Sequence, residues 1–488
     1  MPYLADLEQS GIPTVLVVFN EEIEKVKHDS TLHGVPKLRY VVASRNSLGG
    51  VSEAHTILEP TLDALVRPLT DEEKATGIWE PKQPRILFEG SLLDAEEFYK
   101  QTIDIPRLLG APFSKYGDGL PLVVPTEERV AAMLKGTSHK PDELITLQRE
   151  VKLRGGPSAS VERMPVKKKG EVVQFMPLYR TATVEQVAVN AVMAGCEPNQ
   201  FPVVLTIAES GGGTGDGRGG GGAFVVSGPI YKEIGMNVTN FVFGPGNPAN
   251  KALGRVGSIM WRNLGGYEET ITTITTLGNA VTNGGFMFAE YAEGLPDGWK
   301  GLNEELGFKK DESVLMPLNM MGGWGIGQQH MPGVYRSLQR TGHGAIARYL
   351  GVKGTPGPHN YLAYLINGIW ATMEGGFTLV MPQQIAQDLY DYGYKTKESI
   401  YEYIWKQSFE PVAKYRMRGM PDFTTNGWLG IEKTSGKPWK ELPDDYMVPV
   451  GGDNPFDSYN VLVINMEETA TARFGGGHSN GYSIDAWR

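Results

Sequence analysis

Glycine and proline cut this chain into short pieces, and that limits what it can build. They number 62 and 32 in 488 residues, about a fifth of the chain against a usual share of roughly 12%. The excess falls in discrete runs between periodic apolar segments, which reads as many tight turns in a folded protein rather than as disorder. The longest apolar stretches, Val15–Phe19 and Val203–Ala208, are too short to span a bilayer. The first residues lack the basic region and apolar core of a secretory signal. A net charge of −10, from 46 basic and 56 acidic side chains, argues against a nucleic-acid binder. A single cysteine excludes an intrachain disulfide framework and any CxxC-type metal site made by this chain alone. The expectation is a soluble cytoplasmic protein of two or three domains, with neither membrane nor nucleic acid as partner.

Residues 14–19 read as a buried strand, 21–33 as a charged helix and Leu38–Ala43 as a second strand. This alternation predicts a parallel, doubly wound sheet, yet one such unit is too little to cover a sheet on both faces. The fold class expected is therefore α/β. A partial doubly wound, Rossmann-like half domain spans residues 1–80, followed by a helical connecting segment over 81–150 and a linker over 151–180. A larger Gly-rich α/β (or α+β) domain occupies 181–488 and carries the chemistry. The basic run Lys167–Lys169 reads as a solvated loop, and no internal repeat is visible in the residues.

The clearest single element begins at Thr183, an N-cap with Gln186 at the capping-box position. Val184, Val187, Ala188, Ala191 and Val192 recur on one helical face, and Gly195 ends the helix. Cys196 follows, then Glu197 and an apolar segment, 202–208, that reads as a strand. A helix C-terminus disfavours a thiolate. The local pattern thus predicts a protonated, partly buried thiol, reactive only where a base or cation converges from elsewhere. Within the helix, Asn190 is a candidate to orient it, together with Glu197.

Four further places bear on chemistry. Asp118, between Gly117 and Gly119, is a turn former or a site residue exposed on that turn. The run Ser210–Gly222 has nine glycines in thirteen residues, with Asp216 and Arg218 its only charges. It matches neither GxxxxGK[ST] nor a helix-opening GxGxxG, so a lid or an interface loop is the better reading, with Arg218 a candidate anion contact. Asn247 and Pro248 open a helix with a small-residue face, and Asn250, Lys251 and Arg255 lie near its start. That is either an anion site or a close-packed helix with surface cations. Of eight histidines, none forms HxxxH or HExxH. His330, His343 and His359 lie in Gly/Pro-rich loops and are weak metal candidates, and His478, in a Gly-rich loop after the apolar run 459–466, is an acid–base candidate.

Together, several segments resemble the UGSC family of (seleno)proteins and its large relatives. They are Leu7–Val15, Asp118–Val130, Thr183–Cys196, Gly244–Arg255, a helix over Pro382–Tyr394 and Gly475–Ser479. The resemblance implies thiol or selenol chemistry. In UGSC-like proteins a Sec/Cys-Gly-Ser-Cys motif precedes the segment that matches Leu7–Val15. Here no such motif is present, so the family's redox pair does not carry over and Cys196 is the one thiol left. The missing motif and half-sheet are expected on a second subunit, in a homo-oligomer or mixed complex.

Two functions follow. In the first, the chain is an enzyme acting on a small anionic substrate. Cys196 supplies the thiol, Asn250, Lys251, Arg255 and Arg218 hold the anion, and Asp118 and His478 carry protons. A lyase or hydratase step is favoured, since one thiol cannot cycle through an intrachain disulfide; a reductive cleavage needs a partner's electrons. In the second, the chain is a non-catalytic structural or ligand-binding subunit. A metal or cofactor enzyme using His330, His343 and His359 is a third reading, and no cofactor is specified by the residues.

Overall fold

The computed structural model describes residues 4, 7, 8, 10–43, 55–75, 84–104, 112–152, 166–176, 178, 180–211, 222–266, 284–318, 342–370, 376–413, 432, 435–449, 454–466, 472–475 and 479–488. Near the start, strand β1 (Leu16–Phe19), helix α1 (Ile23–Leu32) and strand β2 (Tyr40–Ala43) form one strand–helix–strand unit. The strands pair in parallel, Leu16 opposite Tyr40 and Phe19 opposite Ala43. Helix α2 (His55–Val66) packs beside β2. Arg39, at 6% exposure, forks onto Glu73 with contacts of 3.0 and 3.1 Å and donates to the Arg67 and Pro68 carbonyls, so this small unit is tied by one buried cation.

The bulk of the chain is a mixed α/β body. Helix α3 (Leu92–Tyr99) and helix α4 (Glu127–Leu134) lead to α5 (Val184–Ala194) and α6 (Phe201–Glu209). Strand β3 (Ala223–Ser227), helix α7 (Pro248–Asn263), strand β4 (Phe286–Ala289) and strand β5 (Val314–Pro317) complete a first half. A second half follows: α8 (Gly342–Tyr349), α9 (Tyr361–Trp370), β6 (Phe377–Pro382), α10 (Gln383–Tyr392), α11 (Lys397–Lys406), β7 (Tyr459–Ile464) and β8 (Ala472–Gly475). The short strand β9 (Tyr482–Ser483) returns to pair with β5.

The two halves repeat one topology. In the first, β3 pairs in parallel with β4 across a helical crossover and antiparallel with β5 on its other edge. In the second, β6 pairs in parallel with β7 across a helical crossover and antiparallel with β8. Each central strand is preceded by two helices. The duplication was invisible in the residues because topology constrains strand order and burial, which unrelated apolar side chains satisfy equally well.

Side-chain alternation along the strands places the core in layers. Ala223, Val225, Phe288 and Met316 of the first sheet meet Val380, Leu462 and Ile464 of the second in a shared apolar layer. On the outer face of the first sheet, Phe224, Val226, Met287 and Leu315 pack against α5, α6 and α7. On the outer face of the second, Phe377, Leu379, Met381 and Val461 pack against α9, α10 and α11. Helices thus cover both outer faces of two sheets packed face to face.

Several expectations change on this frame. Residues 201–209 form a helix, not a strand: all nine are buried, so the segment is apolar all round and has no periodicity to betray its type. The helix expected over Pro382–Tyr394 is α10, Gln383–Tyr392, which Gly393 at φ 145° stops. The 151–180 segment is no free linker in its described parts, since Val151, Val173 and Phe175 are buried in the first-half core and short bridges join Thr146 to Val172 and Phe175 to Arg180. The 81–150 segment carries helices α3 and α4 but also a strand pair, 102–104 with 112–114. The parallel β1–β2 pair is seen; a wider doubly wound sheet is not among the described residues. No helix of the described residues is long and apolar enough to cross a membrane.

Phe288 is fully buried in the shared layer. Phe288→Ala is expected to lower stability by about 3–5 kcal/mol, read as a shift in the urea midpoint. Tyr349→Ala, at a site 89% exposed, is expected to change it by no more than about 0.5 kcal/mol.

Candidate functional site

The helix that delivers Cys196 forms as its residues require. The Thr183 hydroxyl accepts from the Gln186 N–H at 3.3 Å, and the Gln186 side chain accepts from the Thr183 N–H at 2.9 Å. At the other end Gly195 takes φ 83°, which only glycine adopts freely, and the Cys196 N–H closes onto the Ala191 carbonyl at 3.0 Å. Cys196 is thereby turned into the first-half core at 7% exposure.

Arg255, at the start of the third turn of α7, is the hub of the site. Its guanidinium forks onto Asp118, with Nε to Oδ2 at 2.8 Å and Nη2 to Oδ1 at 2.9 Å. The pair is largely sheltered, at 16% and 7% side-chain exposure. Nη2 also reaches the Leu120 and Pro121 carbonyls at 3.3 and 3.0 Å. The loop carrying Asp118 is anchored by the Val123 N–H on the Met193 carbonyl, at the end of α5. Gly117 and Gly119 both have positive φ, so the tight turn that aims Asp118 inward depends on them. Asp118 is therefore turn former and ion-pair partner at once.

The thiol feels both charges of this corner. Cys196 is pushed up to about 12, by burial first and then by the adjacent Glu197 carboxylate, while Arg255 pulls it down. Desolvation wins because the thiol is inside the core while the cation is already occupied by Asp118. Cys196 is thus a protonated thiol at neutral pH, a proton donor rather than a ready nucleophile.

Other expected site residues have different work. Asn190 donates to the Gln186 carbonyl at 2.8 Å and accepts from Asn263 at 2.9 Å, which ties α5 to α7 rather than orienting the thiol. Asn250 clamps the Asn237 backbone from both sides, at 2.9 and 3.1 Å, and closes the loop before α7. Its amide is spent on that loop rather than held open for an anion. Lys251 is exposed. Glu197 opens a short turn, its N–H on the Gln200 side chain at 3.0 Å. Arg218, His330 and His478 lie outside the described residues, as does the side chain of His343, and His359 is exposed on the turn before α9. Among the described residues no group of three or more His, Cys, Asp or Glu is placed to hold a metal ion.

Sequence reasoning missed two buried carboxylate sites. Glu209, the last residue of α6, is 1% exposed and accepts from the Gln148 N–H at 2.8 Å and the Trp487 indole at 2.7 Å. Burial pushes its carboxyl up to about 7. The other is a cluster of Glu290, Glu305 and Lys397 between the halves. A glutamate closing an all-apolar run was the one signal for Glu209; nothing local marked the cluster. Two open clefts, of about 510 and 440 Å³, lie beside His139 and beside Arg488, and neither is lined by Cys196, Asp118 or Arg255.

No family model, no curated protein and no solved structure matches the chain.

Native Cys196 is expected to alkylate very slowly at pH 7 to 9 and at the rate of an ordinary thiol once denatured, measured by iodoacetamide labelling and mass spectrometry. Arg255→Gln removes the one cation that pulls the thiol down and is expected to slow native labelling further at high pH. Asp118→Asn leaves a sheltered guanidinium without its carboxylate and is expected to cost about 1–3 kcal/mol.

Proposed function

We propose that this chain is an enzyme acting on a small carboxylated substrate at the Arg255 corner, with Cys196 as proton donor. One observation carries the reading. Arg255 holds Asp118, 137 positions away in the chain, and its charge reaches the buried thiol of Cys196 on a third segment. A substrate carboxylate has the same two oxygens as Asp118 and fits the same guanidinium fork. A protonated thiol beside that anion suits a lyase or hydratase step, in which a proton is delivered to carbon or to a leaving oxygen. A reductive cleavage fits less well, because a lone thiol has no resolving partner in this chain. Membership of the UGSC group stays part of the proposal, on the segments that resemble it.

The exposed apolar side chains of the first quarter of the chain support an oligomer. Leu58, Leu62 and Val66 stand on one stripe of α2 at 50%, 51% and 78% exposure, with Leu92 and Leu93 on α3 at 49% and 69%. A partner subunit covering these and extending the β1–β2 pair accounts for them.

A structural or ligand-binding subunit is the second reading, favoured by the low exposure of Cys196 and by the mutual satisfaction of Asp118 and Arg255. Thermal shifts with a panel of small mono- and dicarboxylates separate the two. The enzyme reading expects a stabilising carboxylate whose effect is lost in Arg255→Leu and kept in Cys196→Ala, with turnover of that compound lost in both. If no carboxylate shifts the native protein and Cys196→Ala costs only stability, the structural reading stands.

A further inference from the structure

The most deeply buried ion pairs of the described residues lie away from the Arg255 corner, where the two halves meet. Lys397, the first residue of α11, is 1% exposed. Its ammonium meets Glu290 Oε1 at 3.0 Å and Glu305 Oε2 at 3.1 Å, and those side chains are 0% and 6% exposed. Glu290 follows β4, and Glu305 ends a short helical turn, Leu302–Glu305; both belong to the first half, whereas Lys397 belongs to the second.

Donors are shared unequally between the two carboxylates. Glu290 Oε2 takes the Ser227 hydroxyl at 2.8 Å and the Leu302 N–H at 2.7 Å, in addition to the ammonium on Oε1. Glu305 takes only the ammonium and the Tyr401 hydroxyl, the latter at 2.9 Å. Tyr401 in turn accepts from the Val461 N–H at 3.1 Å, which extends the network into β7. Two carboxylates against one ammonium leave one negative charge uncompensated in a site almost closed to solvent, which a low-dielectric interior disfavours strongly. One proton removes it, and Glu305, with fewer donors, is where it goes.

We propose that Glu290, Glu305 and Lys397 form a proton-operated catch between the two halves, closed when Glu305 holds a proton and loosened when it releases it. The proposal is independent of the chemistry at Arg255. The groups facing Glu305 are Lys397 and Tyr401 from α11 and Glu290 from the end of β4. Burial pushes the carboxyl up from 4.5 to about 7; Glu290 adds to the rise, and Lys397 and Tyr401 oppose it. A carboxyl raised in the folded state stabilises it fully below about pH 4.5, and that stabilisation is lost as pH rises through about 7. The catch therefore loosens on the alkaline side of neutrality.

Glu209 has a rise of the same sign, so the test is run on the full chain carrying Glu209→Gln. Urea unfolding is measured from about pH 5 to pH 8, with and without Glu305→Gln. The Glu305 carboxyl is expected to raise the unfolding constant roughly a hundredfold across that range, and Glu305→Gln is expected to remove this slope. Hydrogen exchange over residues 397–406 is expected to quicken over the same rise only where Glu305 is present. An unchanged slope in Glu305→Gln overturns the proposal, as does exchange at 397–406 that ignores pH. Should Glu305→Gln not fold, infrared spectra of the Glu209→Gln chain decide. A protonated-carboxyl stretch lost with a midpoint near pH 7 supports the catch, and absence of that band at pH 5 to 6 overturns it.

Discussion

Burial of one apolar layer between two sheets is the constraint on which the rest of this structure depends. Each sheet alone would expose a face of Val, Leu, Ile, Phe and Met side chains to water. Val225, Phe288 and Met316 from one side meet Val380, Leu462 and Ile464 from the other, which removes both faces from solvent at once. With the inner faces so occupied, helices are left to cover the outer ones, and the strand–helix–strand connections supply them without long loops. Repetition of the same strand order in both halves follows from the same demand, since each half must present one flat face inward and one covered face outward.

That packing has an electrostatic cost at its edge. Lys397 reaches from a second-half helix to first-half carboxylates and must leave its charge in a place from which water is excluded. Burying a charge is tolerated only when it is paired and hydrogen-bonded, and Ser227, Leu302 and Tyr401 supply those bonds. The Arg255 corner solves the same problem at the rim of the first half, where Asp118 neutralises the guanidinium and backbone carbonyls take its remaining reach. Cys196 is excluded from that exchange of charge. Its neighbours are a carboxylate and a cation already matched, so desolvation keeps the proton on sulfur.

Local structure with a strong chemical signature was legible in the residues. The Thr183–Gln186 capping box, the Gly195 stop and the Pro248 helix start all appear where their side chains demand them. The protonated state expected of Cys196 after a helix C-terminus is also found, but its cause is burial in the core. By contrast, residues 201–209 misled, because a segment buried on every side carries no period. Asn190 and Asn250 misled for another reason. An amide near a helix end looks available in one dimension, and only packing shows that Asn263 and the Asn237 backbone already use it.

What the sequence alone determined is therefore short-range: caps, turns, the type of the clearly periodic helices and the absence of long apolar spans. These depend on residues within a turn or two of each other. The tertiary structure decided everything that requires two distant segments to meet. It alone paired Asp118 with Arg255, set Lys397 between Glu290 and Glu305, doubled one strand order into two facing sheets, and drew Ile145, Leu147, Val151, Val173 and Phe175 into the core. Such contacts are selected by the burial of a common apolar layer, whose free energy depends on area and fit rather than on any local pattern of residues.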